Sequence, residues 1–230
     1  MTIEAGVLTL CCSDLAAPPL FWTDADRTRH GYEPEAAQAV AEALGLRLAW
    51  IFKQWSEFRP ALEAGACDGI WCGSAITPER RLVFGYSEPY AIFGEGVVVR
   101  ADDPASSAAD LHGRRVGAIE ASTNMRLAET FEGVETVAFS GDTDDVFGDM
   151  LNALRAGEVD AVVDDEPAFI DVGQNHPGIR LAFSVATGQR WGCAMRPGDD
   201  ATRALLDRGI AAADLRAVWE RTLPSLAFPF

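Results

Sequence analysis

Short apolar runs and amphipathic stretches follow one another along this chain in a repeating order. "GVLTLCCS" (6–13) is a continuous apolar run of strand length. It predicts a buried strand that ends in "DLAAPPLFW", where two prolines force a loop. In "YEPEAAQAVAEALGL" the apolar residues Ala36, Ala37, Val40, Ala41 and Leu44 recur at helical spacing, predicting a helix that stops at Gly45. "RLAWIF" reads as the next strand, "WSEFRPALEAG" as a helix opened by Ser56 and closed by Gly65, and "DGIWCG" as another strand. Strand and helix alternating in this way predict a parallel α/β sheet, whose ligands bind at the carboxyl ends of the strands.

The same order restarts after "EGVVVRADDP". "ADLHGRRVGAIEAST" reads as a helical turn, a tight turn at Gly113 and a strand, with a helix beginning near Ser122. "DVFGDMLNALRAGEVDAVVDDEPAF" gives a helix stopped at Gly157 and a strand with an acidic end. "QRWGCAMRP" is strand-like, and "DATRALLDRGIAAADLRAVWERTL" reads as helical throughout. "ALEAGACDGIW" and "ALRAGEVDAVV" share the form Ala-Leu-x-Ala-Gly-x-x-Asp followed by a strand, as expected of one supersecondary unit used once in each of two lobes. Lobe one is expected over 1–94 and 190–230 and lobe two over 97–187, joined by two crossovers.

Composition narrows the partners. A chain of 230 residues, 48% hydrophobic and 23% charged, has the makeup of an ordinary globular protein with a proper core. Its formal net charge is -16 and its sequence pI about 4.5. With no basic stripe to offset that charge, nucleic acid and anionic membrane surfaces are poor partners. The amino-terminal "MTIEAGVLTLCC" lacks the basic-then-apolar order of a secretory signal, and no apolar run has the length of a membrane span. The expectation is a chain that is leaderless or trimmed: periplasmic or otherwise extracytoplasmic if trimmed, cytoplasmic if Met1 is native. Cys11, Cys12, Cys67, Cys72 and Cys193 are too few and too oddly numbered for a disulfide framework and read as buried free thiols. A gathering of Cys11, Cys12, Cys72 and Cys193 would raise a soft-metal site, but no histidine or CxxC spacing supports one, so no metal or other cofactor is expected.

Taken in order, several motifs carry a resemblance. "GYEPEAAQAVAEALGL", "LEAGACDGI", "ITPERR" with "FGYSEPY", "DLHGRRVGAIEAST" and "LRAGEVDAVVDDEPA" are similar to the signatures of family 3 periplasmic solute-binding proteins, the receptors of polar amino acid ABC transporters. The resemblance runs almost end to end. It implies an α/β, two-lobed periplasmic-binding-protein-like fold of type II, with two crossover strands and a ligand cleft between lobes that close on it. It implies a monomer that delivers a small amino acid-like ligand to the membrane permease of an ABC importer.

The same resemblance assigns roles to residues. Arg80 corresponds to the arginine that grips the ligand α-carboxylate, for which a planar guanidinium is suited. Asp165 corresponds to the carboxylate that holds the α-ammonium. Gly73 and Ser74, on the approach to "ITPERR", are further candidates for ligand binding. Ser122 and Thr123 match a step where a helix N-terminus meets the carboxylate, though Ser122 also reads as a plain N-cap. Trp55 aligns with an aromatic that stacks on the ligand side chain, or else is a core tryptophan at a strand exit. Asp14, at the end of the first strand, corresponds to an aspartate that reads a cationic side chain in some basic amino acid receptors. Two departures stand out: Ala75 occupies a position where the family usually has a hydroxyl donor, and Ala17 precedes Pro18-Pro19 where an aromatic is common, with Phe21 and Trp22 displaced beyond.

Two other functions remain open from sequence. A ligand-binding sensor domain of a membrane receptor would share this fold. A cyclohexadienyl dehydratase-like enzyme would need a cleft acid, for which Glu120 is the candidate, but no nucleophile–base motif, phosphate loop or metal box accompanies it. The expectation is a binding protein and not an enzyme.

Overall fold

The computed structural model describes residues 2–143 and 145–230. Met1, on which the leaderless expectation turns, lies outside the described residues. The chain divides into two compact units, Met1–Ile92 with Gln189–Phe230 and Phe93–Gly188.

The first unit is built on a five-stranded sheet in the order Arg47–Phe52, Val7–Cys12, Gly69–Ile70, Ala194–Met195, Gly85–Tyr86. The first three are parallel, and Ala194–Met195 runs antiparallel to both of its neighbours. All six residues of Val7–Cys12 are buried, as a central parallel strand covered on both faces requires. The helix Tyr32–Ala43 lays Ala36, Ala37, Val40 and Ala41 on the core and ends at Gly45 in a left-handed conformation. It packs against Asp200–Ala212 and Leu215–Thr222. Tyr32 meets Trp219 edge-on at 5.1 Å, and Trp71 stacks on Tyr90 at 3.9 Å.

The second unit carries the sheet Ile179–Trp191, Ala91–Arg100, Ala161–Asp165, Arg115–Ile119, Glu135–Phe139, whose two long strands, Ala91–Arg100 and Ile179–Trp191, also carry the chain between the units. Its core gathers Val97, Val99, Leu111, Val116, Ala161 and Val163.

The repeated Ala-Leu-x-Ala-Gly-x-x-Asp unit makes the same bonds twice. After the helix Phe58–Glu63, Gly65 is left-handed, its amide donates to Leu62 O, and the Ala66 amide to Ala61 O. After Val146–Ala156, Gly157 does the same, with its amide on Leu154 O and the Glu158 amide on Ala153 O. Both positions have positive φ, which glycine adopts without the Cβ clash of other residues. Three residues on, the aspartate locks the next strand. Asp68 takes the amides of Ile3 (2.7 Å) and Thr9 (2.8 Å) and returns its own amide to Thr9 O. Asp160 takes the Arg115 amide (3.0 Å) and returns its own to Arg115 O.

Three expected elements differ. Ser56 does not open a helix: a 3-10 turn, Trp55–Glu57, comes first, with Gln54 and Glu57 forming a reciprocal capping box. The carboxy-terminal helical stretch is two helices, because the Asp214 side chain accepts from the Ala217 amide and starts a new one. "DGIWCG" keeps only two residues in the sheet, Gly69–Ile70. All five cysteines are free and buried in the first unit.

Candidate functional site

Val7–Cys12 and Arg47–Phe52 end in register, Cys12 opposite Phe52. Asp14 and Trp55 follow two and three residues beyond those ends. Arg80 opens a short 3-10 turn, Arg80–Leu82, whose first amide donates to Thr77 Oγ1 at 3.2 Å. Its Nη1 donates to Ala75 O at 3.4 Å, and its guanidinium lies over the Trp55 ring at 5.5 Å. So Arg80 and Trp55 are brought together, and Ala75, which lacks a hydroxyl, contributes its carbonyl to aiming the arginine. Over an aromatic ring a guanidinium gains a cation–π contact, and its planar fork matches the geometry of a carboxylate.

Ser74 and Gly73 are engaged within the unit. The Ser74 hydroxyl pairs with the Tyr86 hydroxyl at 3.1 Å, and the Gly73 amide donates to Glu33 Oε2 at 2.8 Å. Asp14 accepts from Thr23 Oγ1 at 2.8 Å and from Arg27 Nη1 at 2.6 Å. Burial raises the Asp14 carboxyl, but the bonds from Thr23 and Arg27 outweigh it and hold the group below its usual range.

Beneath Gly73 lies a polar group that periodicity could not reveal. Glu33 is in the first turn of a helix, where an acid ordinarily faces solvent and complements the helix dipole. Here it is 1% exposed. Its Oε2 also accepts from the Tyr90 hydroxyl at 3.0 Å, while Oε1 has no hydrogen-bond partner among the described residues. Burial pushes the carboxyl up to about 7, against the opposing pull of Gly73, Tyr90 and Arg29. A carboxyl raised on folding contributes stability that is fully present below its unfolded value and is lost as pH rises through its folded value. Glu33 is therefore expected to withdraw about 3 kcal/mol as pH rises from 4.5 to about 7. Denaturant unfolding of wild type and Glu33→Gln at pH 5 and pH 8 measures this, with the variant losing that part of the slope. Identical slopes would assign the pH dependence to other groups.

In the second unit, Ala161–Asp165 ends in two acids. Asp165 stands at the N-cap position of the following 3-10 turn, and its amide donates to Asp164 Oδ1 at 2.8 Å. Asn124, which sequence reading passed over, has its Nδ2 3.4 Å from both Asp164 Oδ1 and Asp165 Oδ1. It is 5% exposed and sits in the helix Thr123–Ala128, one turn of which faces this strand end. Asn124 next to Ser122-Thr123 was the available signal. Ser122 is the N-cap, its Oγ accepting from the Met125 amide at 2.9 Å, and the Thr123 hydroxyl lies 3.4 Å from Asn124 Oδ1. Thus Thr123, Asn124 and Asp165 form one patch, with Ser122 supporting it from behind. Burial pushes Asp164 up to about 6, and the neighbouring Glu95 charge adds to the rise. Glu95, 2% exposed, is raised by its own burial and receives the Thr187 hydroxyl. Glu120 is exposed and gives its amide to Phe139 O.

Comparisons with known proteins agree on one family. Among curated proteins, the chain is 26% identical over 188 residues to the L-cystine-binding protein TcyJ of Escherichia coli K12, covering 80% of this chain and 68% of that protein. It is 28% identical over 203 residues to the L-arginine-binding protein of Pseudomonas aeruginosa, covering 81% and 74%. Among solved structures, it is similar to an ancestral arginine-binding protein bound to arginine, with a TM-score of 0.83, 25% identity and coverage of 95% and 98%. The ancestral amino acid-binding protein AncCDT-1, a precursor of cyclohexadienyl dehydratase, shares the fold with a TM-score of 0.78 at 21% identity, covering 96% and 94%. The fold is thus α/β, of the two-lobed periplasmic-binding-protein type. Residues 10–221 match the profile of bacterial extracellular solute-binding proteins, family 3, and the chain belongs to that family.

Proposed function

We propose that this protein captures a small zwitterion, an amino acid or close derivative, and delivers it to the membrane permease of an ABC importer. The two units act as the lobes, Arg80 taking the carboxylate and Asp165 the ammonium, so that neither unit alone satisfies the ligand. Trp55 supports Arg80 and offers an aromatic face to the ligand, and Thr123 stands beside Asp165. The protein works outside the cytoplasmic membrane, as a monomer, and by binding without chemical conversion. The observation that carries this reading is Arg80, held by Thr77 and Ala75 over Trp55 at the strand ends of a chain in this family. Curated relatives named as amino-acid-binding proteins support the ligand class.

Native mass spectrometry of the purified protein, followed by a thermal-shift screen of the L-amino acids, tests it. A ligand at about 100 times its Kd adds about 2.7 kcal/mol of stability, a rise of several degrees for a chain of this size. A flat response to every amino acid would overturn the reading.

A further inference from the structure

We propose that Arg27 is a specificity residue that occupies the Asp14 carboxylate from within and makes this receptor reject ligands with a cationic side chain. The inference rests on the amino acid-receptor reading and adds a side-chain class to it.

Asp14 stands just past the end of the central parallel strand, where a carboxylate is placed to receive a cation. In this chain the cation comes from the chain itself. The hairpin of Trp22–Thr23 and Arg29–His30 turns through 24–28, with the Asp24 amide on Thr28 O and the Arg27 amide on Asp24 O. That turn swings Arg27 back over the strand ends. Its Nη1 reaches Asp14 Oδ2 at 2.6 Å, and its guanidinium lies 4.7 Å from the centre of the Phe52 ring. A carboxylate at one edge and an aromatic ring on one face are the contacts a ligand guanidinium would seek.

A second arginine reinforces the effect. Arg29 Nη1 is 3.9 Å from the other Asp14 oxygen, and its side chain is 3% exposed among the rings of Phe21, Trp50 and Phe52. One carboxylate therefore faces two guanidinium groups, and Asp14 is already engaged from both sides. A ligand bringing a third cation must compete with Arg27 for the Asp14 carboxylate and meets a like charge there. Neutral side chains make no such demand.

Backbone geometry supplies a clean variant. Arg27 has φ 69, a left-handed conformation that a side chain disfavours and glycine adopts freely. Arg27→Gly should therefore fold at least as well as wild type while baring Asp14. Calorimetry with L-arginine, L-lysine and L-glutamine on wild type, Arg27→Gly and Arg27→Gly with Asp14→Asn reads the effect. Wild type should bind L-arginine about tenfold or more weakly than L-glutamine. Arg27→Gly should tighten L-arginine about tenfold, and the added Asp14→Asn should remove that gain. Wild type holding L-arginine as tightly as L-glutamine, or Arg27→Gly leaving L-arginine unchanged, overturns the proposal.

Methylguanidinium separates this proposal from the reading beneath it, because it carries the cationic head without a zwitterion. If no amino acid binds any form but methylguanidinium stabilises Arg27→Gly above wild type, the amino acid reading fails and the Arg27 role stands. If methylguanidinium also fails to discriminate, both fall.

Discussion

Arg80→Ala is expected to take ligand binding out of the micromolar range, a loss of about 2–5 kcal/mol, because the ligand carboxylate would be desolvated without its partner. Arg80→Lys keeps the charge and should still weaken binding. An ammonium cannot form two parallel hydrogen bonds to a carboxylate, nor reproduce the planar guanidinium that lies over the Trp55 ring at 5.5 Å. The contrast is Arg81, which is exposed and 6.0 Å from the Tyr86 ring centre. Arg81→Ala should change affinity by less than about 1 kcal/mol, the usual worth of an exposed charge. Calorimetry with the best ligand from the screen on all three variants decides the matter. Wild-type affinity in Arg80→Ala would make "ITPERR" a structural turn.

The largest effect on stability is expected at Asp68. Its side chain is fully buried and accepts two backbone amides from the strand region it locks, those of Ile3 and Thr9. Asp68→Ala removes two charge-assisted bonds and leaves the Thr9 amide buried without a partner. A destabilisation of about 3–5 kcal/mol follows, near 10 °C in melting temperature for a chain of this size. The equivalent Asp160 is partly exposed, at 21% of its side chain, and shares its charge with Arg115 and Arg100. Water can replace more of what it supplies, so Asp160→Ala should lose only about 1–2 kcal/mol after allowance for screening. Equal losses at the two positions would mean that burial does not set the difference.

The repeated unit was visible in sequence because each of its parts has a local cause: a left-handed glycine closing a helix, and an aspartate three residues later reaching the next strand. Val7–Cys12 was visible for a similar reason, since a buried parallel strand is a continuous apolar run, and the half-buried edge strand Arg47–Phe52 because its apolar and aromatic side chains favour extended backbone. The break at Ala213-Asp214 was not. Alanine favours helix on both sides of it, and an aspartate that caps looks in sequence like one on a solvated face. Glu33 was missed because helical position predicts its dipole role but not its burial under Gly73 and Tyr90. In sequence Asp14 is a residue that could read a cationic side chain; the hairpin turn adds Arg27 from thirteen residues away, a contact no spacing rule encodes. Asn124 becomes informative only when Asp164 and Asp165 arrive from a distant strand.

One feature of the chain path governs the order in which the protein can be made. The second unit is a single uninterrupted stretch, Phe93–Gly188, so all of it is synthesised before the returning segment Gln189–Phe230 of the first unit. The first unit has to wait. Among the described residues Ala194–Met195 sits between Gly69–Ile70 and Gly85–Tyr86 and joins them, so its sheet stays split in two until that strand emerges. Nascent chains therefore carry a completed second unit beside an unfinished first one, whose open strand edges are exposed to wrong pairing or to a chaperone during that interval.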